Sequence, residues 1–405
     1  MMRLLIVSQY FWPEVFLIND LAAELVRRGH SVTVLTGKPN YPSGKLAPGY
    51  RRGGVKRETF AGAQVIRVPL LPRGRGGRLS LSLNYLSFAW SASWRLPWIL
   101  RKQAFDAIFV YGVSPLTAAL PAIAAKWLKR APLITWVQDL WPESVASSGL
   151  LRRRSALLLI EMIVKFVYRQ SDDILVQSPA FLPSIARLAP RARVRHFSNF
   201  AADTSGPDQL HAQISDLFRD HFCVTFGGNL GRAQALEVIV EVANLLQGHP
   251  DIRFVIAGTG VRADWLAGEV ARRGLSNVTL TGWLDAALMP ELFRRSGALF
   301  LSLGSGRGIA DTIPSKLQEY FRAGRPIVGA LEGEAARLVV DSGAGLMVEP
   351  DDYPALAAAI LELRRMPLEQ REAMGRRGRD YYTAHYEMRE AVGRLERMLS
   401  DAQYQ

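Results

Sequence analysis

The residues that most suggest chemistry lie between positions 311 and 328, in the stretch DTIPSKLQEYFRAGRPIV. Its pattern predicts a helix that begins near Pro314 and ends at Gly324, because proline suits a first turn and glycine a left-handed cap. The free N–H groups of a helix N-terminus attract anions, so a lysine in that turn opposes the helix dipole. Lys316 therefore suggests a bound anion. The alternative is a surface ion pair with Glu319, three residues further along the same helical face.

Two other loops in the second half of the chain are rich in glycine, GGNLGRAQ at 227–234 and AGTG at 257–260. Each follows an apolar run that predicts a buried strand, and glycine lets a backbone approach a phosphate closely. The four glycines that we expect at the phosphates are Gly228, Gly231, Gly258 and Gly260. A plain strand-to-helix turn is the alternative, and it explains the second loop equally well.

Three segments of the first half also follow predicted strands, namely SQYFWPE, TGKPNYPSG and VQDLWPES. Ligands of open α/β sheets bind at the carboxyl ends of the strands, so these segments predict a second binding region. Its predicted members are Trp12, Glu14, Asn19, Asp20, Tyr41, Asp139 and Glu143. Asp139 suits a base or a group that orients a hydroxyl, and its alternative is a structural cap. Asn19 and Asp20 could instead cap the first helix, and Tyr41 could instead belong to a rigid surface loop without a binding role.

Strands and helices alternate along almost the whole chain, which predicts parallel sheets covered by helices. The chain has 405 residues, enough for two domains with separate cores. The stretch 201–220 changes from basic to polar and acidic, so we place the domain boundary there. The prediction is an α/β protein with doubly wound, Rossmann-like domains at 1–200 and 201–384. Residues 385–405 are expected to form a helix that packs back on the first domain.

Composition excludes several classes of protein. Apolar residues make up 49% and charged residues 21%, as in an ordinary globular protein. The single cysteine, Cys223, excludes an internal disulfide and fits a reducing compartment. The apolar run of MMRLLIVSQYFWPE is too short for a signal peptide, and we expect no membrane-spanning helix. No His, Cys and Asp cluster has metal-ligand spacing, so we expect no metal site.

Charge is distributed unevenly along the chain. Residues 1–200 contain 28 Lys and Arg against 10 Asp and Glu, a net charge of +18, whereas the remainder contains 22 against 27, or −5. A basic half suggests a polyanionic partner, either anionic lipid or nucleic acid. The segments 73–102 and 150–170 mix cations with aliphatic and aromatic residues, which favours interfacial helices on anionic lipid. The alternative for each is a buried helix with basic ends.

The second-half motifs occur in one order, GGNLGRAQ, AGTG, NVTLTGW, PSKLQEYFRAGRPIV and AGLMVEPDD. In this order they resemble the retaining glycosyltransferases of family 4. SQYFWPE, INDLAAELVRRGHSVTVLTGKPNYPSG and WVQDLWPES resemble the bacterial branch described as L-fucosamine transferases of O-antigen and capsule synthesis. The resemblance covers nearly the whole chain. It implies the GT-B fold, in which two doubly wound domains face each other across a crevice.

The resemblance also implies ligands and roles. A nucleotide-sugar donor, expected to be UDP-linked, would bind the C-terminal domain, and a polyprenyl-diphosphate-linked saccharide would bind the N-terminal domain as acceptor. Neither a cofactor nor an obligatory metal is implied. Such an enzyme would work in the cytoplasm, peripherally on the inner face of the cytoplasmic membrane. The further donor-site residues on this basis are Asn229, Gln234, Asp311, Thr312, Ser315 and Glu319.

This sequence departs from the family pattern where positive charge usually stands. Asn229 and Gln234 occupy the places of an arginine and a lysine, and the first of two glutamates spaced by seven residues is shortened to Asp311. By the resemblance, Asp311 would meet the donor sugar and Glu319 the nucleotide ribose. A departing diphosphate needs preorganised positive charge. We therefore hypothesise that Lys316 and Arg232 replace the usual pair.

Two other functions remain open from the sequence. A non-hydrolysing UDP-sugar 2-epimerase has the same fold, although the hydrophobic, basic first half argues against a soluble isomerase. A nucleic-acid-binding protein would use the same basic half. No recognised nucleic-acid motif occurs, and the cations are scattered among apolar helices, so we expect no nucleic-acid partner.

Overall fold

The computed structural model describes residues 1–74, 77–114, 116–147, 154–201, 210, 212–304 and 309–403. The chain divides into two compact units. Unit 1 comprises residues 1–198 and 388–405, and unit 2 comprises residues 199–387. Residues 202–209 and 211 of the stretch 201–220, in which we placed the boundary, lie outside the described residues.

Unit 1 is built on a sheet that has eight strands within the described residues, in the order β3-β4-β2-β1-β5-β6-β7-β8. The strands are β1 Arg3–Val7, β2 Ser31–Gly37, β3 Lys56–Phe60, β4 Ala63–Val68, β5 Ala107–Gly112, β6 Leu133–Val137, β7 Asp173–Val176 and β8 Val194–His196. All neighbours pair in parallel except β3, which pairs antiparallel with β4 at the edge. The prediction of parallel strands is therefore wrong for β3. Exposed and half-buried residues alternate along this edge strand, so it lacks the continuous apolar run that is typical of a buried parallel strand.

The helices of unit 1 cover both faces of this sheet. They are α1 Leu17–Arg27, α2 Arg78–Ile99, α3 Ala119–Lys129, α4 Glu143–Ser147, α5 Arg154–Gln170 and α6 Leu182–Leu188. Helix α3 contacts both α2 and α5, and one buried apolar cluster joins these three helices to the sheet. Strands β5 and β6 are buried along their whole length, as expected for central strands covered on both faces.

Unit 2 has a parallel sheet, with six strands among the described residues, in the order β11-β10-β9-β12-β13-β14. The strands are β9 Phe222–Gly227, β10 Ile252–Ala257, β11 Val278–Gly282, β12 Ala298–Ser302, β13 Ile327–Ala330 and β14 Gly345–Val348. The helices are α7 Ala212–Asp220, α8 Glu237–Leu245, α9 Ala263–Arg273, α10 Met289–Arg295, α11 Ser315–Ala323, α12 Glu334–Asp341, α13 Tyr353–Arg365 and α14 Leu368–His385. The carboxyl ends of β9, β10 and β12 share one edge, so the loops that follow them are brought together.

The last helix, α15 Met388–Gln403, belongs to unit 1 and contacts α1. Arg28 donates to Glu396 at 2.9 Å, and the ring of His30 lies 2.7 Å from the same carboxylate. Arg195 reaches Asp401 at 3.0 Å. Polar contacts from three places in the unit therefore hold this helix in position.

Candidate active site

Helix α11 has the local structure that its sequence predicts. Pro314 is its N-cap residue, in an extended conformation, and Gly324 ends it with a φ of +65°. Leu317, Tyr320 and Phe321 bury one face of the helix completely. The predicted first turn and left-handed cap are confirmed, and they fix the direction in which the side chain of Lys316 leaves the helix.

Lys316 makes two contacts with the neighbouring β9 loop. Its ammonium donates a hydrogen bond to Oε1 of Gln234 and lies 3.8 Å from the centre of the Phe226 ring. Its Cε stands 4.0 Å from where a Cβ on Gly228 would be. The side chain therefore spans from α11 to the first glycine loop.

Burial lowers the pKa of Lys316 to about 7, because the charged ammonium has lost much of its hydration. The side chain is half-buried, and its cation–π contact with Phe226 compensates only part of that loss. Lys316 is also the one lysine in the sequence after residue 200, where every other cationic side chain is an arginine. A lysine can release its proton when buried, whereas an arginine cannot.

Glu319 does not form the surface pair with Lys316 that the spacing allowed. Arg322 instead donates to Oε2 of Glu319 at 2.8 Å, three residues along the helix. Because Lys316 is engaged with Gln234, the two charged residues of this face have separate partners. The simple i,i+3 ion pair is therefore not the reason for this lysine.

The two glycine loops are pressed against each other. A Cβ on Gly258 would stand 1.8 Å from the carbonyl oxygen of Gly228, and a Cβ on Gly260 would stand 2.5 Å from that of Leu230. Gly258 has a φ of +149°, which side chains rarely adopt. Packing between loops thus explains the second pair of glycines without a ligand, the alternative that the sequence left open.

The first glycine loop presents a different surface. Gly228 has a φ of +127° and is exposed, as is Asn229 beside it. Gly231 is buried, and a Cβ there would stand 2.9 Å from Nδ2 of Asn229. Arg232 follows, exposed, in a single 3₁₀ turn that spans Arg232–Gln234. An open backbone with a cation at its end suits approach by an anion.

The 3₁₀ turn is anchored to the end of β12. Oγ of Ser302 donates to the carbonyl oxygen of Gln234 at 2.7 Å, and the N–H of Gly304 donates to that of Ala233 at 2.9 Å. Gln234 is therefore fixed through its backbone while its side chain receives the ammonium of Lys316. This anchoring preorganises the cation.

The segment before α11 lies at the same edge. Asp311 and Thr312 are half-buried and Ser315 is exposed, and the N–H of Thr312 donates to Ile309 at 3.0 Å. The N–H of Glu334 donates to Ala310 at 2.9 Å, which fixes this segment to the loop after β13. Residues 305–308, which precede this segment, lie outside the described residues.

In unit 1, Glu14 joins the loops that follow β1 and β2. Its carboxylate accepts hydrogen bonds from the N–H groups of Asn40 and Tyr41, each at 2.7 Å, and of Phe11 at 3.3 Å. Burial raises the pKa of Glu14, although these three donors oppose the rise. In the structure this carboxylate is engaged in holding the two loops together.

Asn19 has a similar internal function. Its Oδ1 accepts from the N–H of Trp12 at 3.0 Å, and its Nδ2 donates to the carbonyl oxygen of Glu14 at 2.7 Å. The N-cap of α1 is Phe16, without a side-chain cap, so the capping alternative for Asn19 and Asp20 is wrong. Asp20 is half-buried in the first turn of α1.

Aromatic side chains cluster beside these loops. Tyr41 is 37% exposed and lies 5.8 Å from Tyr10 and 5.6 Å from Phe16, measured between ring centres. The guanidinium of Arg73 stands 5.1 Å from the Tyr41 ring and donates to the Tyr10 hydroxyl at 2.9 Å. Trp12 is 39% exposed nearby. The rings and the cation could receive a sugar face and an anion at one place.

Asp139, directly after β6, is bound to the loop after β5. Its Oδ2 accepts from both the N–H and the Oγ of Ser114, each at 2.9 Å, and Nε1 of Trp141 donates to the same Oγ at 2.9 Å. Burial raises the pKa of Asp139. Beside it, Nε2 of Gln138 is buried and has no hydrogen-bond partner among the described residues, so a bound hydroxyl could satisfy this amide group.

Glu143 begins α4 and points to α6. Its Oε1 accepts from Oγ of Ser184 and, at 3.1 Å, from Arg187. This pairing fixes α4 against α6, so the structure gives Glu143 a positioning contact.

Four residues at these sites were absent from the sequence prediction, namely Tyr10, Arg73, Ser114 and Phe226. Tyr10 lies inside the quoted SQYFWPE segment, and Phe226 immediately precedes the first glycine loop. Their position at a strand end was a usable signal. Ser114, two residues after the end of β5, carried the same signal, whereas Arg73 did not.

Comparison with known proteins identifies both units. Residues 17–199 match the family described as Glycosyl transferase 4-like domain, and residues 208–381 match Glycosyl transferases group 1. The chain carries the two domains of a glycosyltransferase. It is 26% identical over 388 residues to the colanic acid biosynthesis glycosyl transferase WcaI of Escherichia coli strain K12, covering 90% of this chain and 93% of that protein.

Solved structures agree on the fold of this glycosyltransferase. Sucrose-phosphate synthase from Thermosynechococcus elongatus has a TM-score of 0.72 at 17% identity, over 99% of this chain and 100% of that one. HepE from Anabaena, solved in complex with UDP and glucose, has a TM-score of 0.69 at 15% identity, over 99% and 100%. Two Rossmann-like domains of the GT-B class are thereby confirmed.

Within the described residues there is neither a metal-ligand cluster nor a helix that could span a membrane. No group of three or more His, Cys, Asp and Glu side chains there could hold a metal ion. No helix in that part of the chain is long and apolar enough to cross a membrane.

Proposed function

We propose that this glycosyltransferase moves a sugar, with retention of configuration, from a UDP-sugar to a polyprenyl-diphosphate-linked saccharide in cell-surface polysaccharide synthesis. The colanic acid enzyme WcaI supports the polysaccharide setting. HepE, with UDP and glucose bound, supports a UDP-linked donor. The resemblance to the L-fucosamine transferase branch makes UDP-N-acetyl-L-fucosamine the first donor to test.

The position of Lys316 carries the proposal. Gln234, which stands where the resemblance implies a lysine, hydrogen-bonds the ammonium of Lys316. A cation from α11 thus occupies the neighbourhood of the missing one, beside the exposed backbone of Gly228. A departing UDP carries its charge on the diphosphate, and a positioned cation stabilises it in the transition state. Arg232 supplies the second cation from the same loop.

The other donor-site residues have roles that follow from the same reading. Asp311 orients the hydroxyls of the sugar, and Glu319 binds the ribose through the carboxylate that Arg322 holds at 2.8 Å. Thr312 and Ser315 lie before and in the first turn of α11, whose N-cap has no side-chain hydrogen bond. The positive end of the α11 dipole therefore suits the phosphates.

The acceptor is proposed to bind at the carboxyl edge of the unit 1 sheet. Asp139 orients the acceptor hydroxyl or takes its proton, held by Ser114 at 2.9 Å. Trp12, Asp20 and Tyr41 contact the acceptor. Glu14, Asn19 and Glu143 are expected to act through the loops that they fix, since their polar atoms bind protein groups.

A donor screen tests the function. Purified protein is incubated with UDP- and GDP-sugars and a short-chain prenyl diphosphate-linked N-acetylglucosamine, and nucleotide release is measured with and without acceptor. Acceptor-dependent release of UDP, with the donor's anomeric configuration retained in the product by NMR, is the expected result. Interconversion of a UDP-sugar without acceptor would indicate the epimerase instead. Absence of both reactions with every donor would refute the proposal.

The Lys316→Met variant tests the role of the positive charge without removing the bulk of the side chain. The variant keeps a long apolar stem beside Phe226 but lacks the ammonium, so kcat should fall by about 100-fold or more. Lys45→Met, at an exposed lysine of unit 1, is the matched control. A Lys316→Met enzyme with the wild-type rate would contradict the assigned role.

We also propose a peripheral location on the inner face of the cytoplasmic membrane, where a lipid-linked acceptor is found. The net charge of +18 on residues 1–200 supports this location, because that surface is anionic.

A further inference from the structure

Helix α2 exposes a continuous apolar stripe. Its members recur every three or four residues and are 44–74% exposed: Leu79, Leu83, Leu86, Trp90, Trp94 and Trp98. The last three form a tryptophan ladder, in which ring centres lie 6.1 Å apart from Trp90 to Trp94 and 5.9 Å apart from Trp94 to Trp98. Three neighbouring tryptophans that all face solvent are unusual on a soluble protein, and such a patch marks an interaction site.

Packing within the domain does not explain this stripe. The other side of α2 buries Phe88, Ala92, Leu96 and Leu100 in the core of unit 1. The helix is therefore apolar on two sides and uses only one of them inside the domain. The alternative of a simple buried helix is wrong for the tryptophan side of α2.

Neighbouring helices also expose large apolar side chains. On α3, which contacts both α2 and α5, Trp127 is 61% and Leu128 46% exposed. Helix α5 exposes Leu158, Leu159, Met162 and Phe166. We use the name apolar helical face for these exposed side chains of α2, α3 and α5 together.

The charges around the α2 and α3 part of the apolar helical face are mostly positive. Helix α5 carries one acidic residue, Glu161, which pairs with Lys165 at 2.7 Å, and Asp172 beyond its end pairs with Lys126 at 2.7 Å. Helices α2 and α3 contain no Asp or Glu, and between residues 73 and 138 the sequence has one acidic residue, Asp106, which pairs with Arg3 at 2.6 Å. Cations stand at the ends of these helices, namely Arg101, Lys102, Lys126, Lys129 and Arg130. A partner that is apolar inside and negatively charged at its surface fits this arrangement.

We infer that the apolar helical face docks on an anionic lipid bilayer, with the tryptophan ladder seated among the headgroups and the flanking cations on the lipid phosphates. Tryptophan prefers this interfacial depth because its ring is apolar and its N–H needs a polar partner. The inference deepens the proposed function, on which it rests for its purpose, because a lipid-linked acceptor must be reached at the bilayer surface. A second copy of the chain is the competing occupant, and the lack of acidic residues on α2 and α3 disfavours it, since two such faces would repel each other.

Vesicle sedimentation tests the inference without requiring transferase activity. The full chain is mixed with vesicles of equal parts phosphatidylglycerol and phosphatidylcholine, or of phosphatidylcholine alone, at low and high salt. The variant combines Trp90→Ala, Trp94→Ala and Trp98→Ala. The matched control is Trp283→Ala, at a tryptophan of unit 2 that is 71% exposed.

The triple variant should bind the anionic vesicles at least about tenfold more weakly than the control, since binding scales with the apolar area inserted. Wild-type binding should weaken with salt and on neutral vesicles. Trp94→Glu serves as a second variant with a single change, and circular dichroism verifies that both variants are folded.

Further measurements distinguish membrane docking from the proposed reaction and from self-association. Transfer to a water-soluble, short-chain acceptor should remain at the wild-type rate in the triple variant, so failure of the proposed reaction and failure of membrane docking are distinguishable. Unchanged vesicle binding by the folded triple variant would overturn the inference. Loss of self-association by ultracentrifugation, with vesicle binding unchanged, would assign the face to a second copy and overturn it as well.

Discussion

Binding of a nucleoside diphosphate should be coupled to uptake of a proton by Lys316. Burial lowers the pKa of Lys316 to about 7, so at pH 8 only about one-tenth of the free enzyme carries this charge. A diphosphate beside the ammonium favours the charged form and raises its pKa. The enzyme should therefore take up a proton when the donor binds.

The magnitude follows from Coulomb's law. A unit charge at about 4 Å, with an effective dielectric constant of about 20, gains about 4 kcal/mol. Since one pKa unit corresponds to about 1.4 kcal/mol, the bound diphosphate should raise the pKa of Lys316 by about three units. At pH 8 the uptake is then about 0.9 proton per UDP bound, and at pH 6, where the lysine is already charged, it is about 0.1.

Isothermal titration calorimetry in buffers of different ionisation enthalpy measures this number. UDP is titrated into wild type, Lys316→Met and Lys45→Met in HEPES and in Tris at pH 8, and in MES and in Bis-Tris at pH 6. The difference between wild type and Lys316→Met removes protons exchanged by UDP itself. If that difference is near zero at pH 8 although UDP still binds both proteins, Lys316 does not meet the diphosphate and the reasoning fails.

Four further predictions concern single residues and the metal. Gly258→Ala should weaken UDP binding at least about tenfold by titration, because its Cβ would stand 1.8 Å from the Gly228 carbonyl and displace the first glycine loop. Glu14→Gln should lower the free energy of unfolding in urea by about 1–3 kcal/mol, since an amide replaces one of the oxygens that accept backbone N–H groups. Asp139→Asn keeps an oxygen that can accept from Ser114 but loses the negative charge, so kcat/KM for the acceptor should fall while the affinity for UDP is unchanged. In the wild-type enzyme, kcat/KM for the acceptor should rise as the pH rises through the raised pKa of the Asp139 carboxyl. Addition of EDTA should leave the rate unchanged, and a loss restored by one divalent cation would contradict the metal-independent reaction.

Local signals in the sequence were sufficient for the elements that position the site. Pro314 and Gly324 determine where α11 begins and ends through their own backbone preferences, without a distant partner. Strands β5 and β6 have nearly continuous apolar runs, which are typical of strands in a sheet that is covered on both faces. These features depend on residues close together in the chain.

The contacts of the predicted site residues could not be found in the same way. Glu14 contacts the backbone of Tyr41, Glu143 contacts Arg187, and Lys316 contacts Gln234. In each pair, at least one strand separates the two residues along the chain. The position of these polar residues after a strand predicted that they lie near the carboxyl edge of a sheet. Which of them bind protein groups depends on the register of neighbouring strands, and no local pattern contains that information.

The choice of lysine at position 316 is best understood from its two states. Without a ligand, a buried ammonium opposes the dipole of α11 and has lost hydration, so the empty site would be less stable if the charge were permanent. An arginine would carry that charge at every pH, whereas lysine with a pKa of about 7 is only about half charged at neutral pH. Because the diphosphate restores the proton, the full positive charge is present when the leaving group needs it. Lys316→Arg should therefore retain part of the activity but unfold more easily than wild type at pH 8 without UDP, and added UDP should reduce that difference in Tm. Equal Tm values for the two proteins without UDP would show that the charge costs nothing in the empty site.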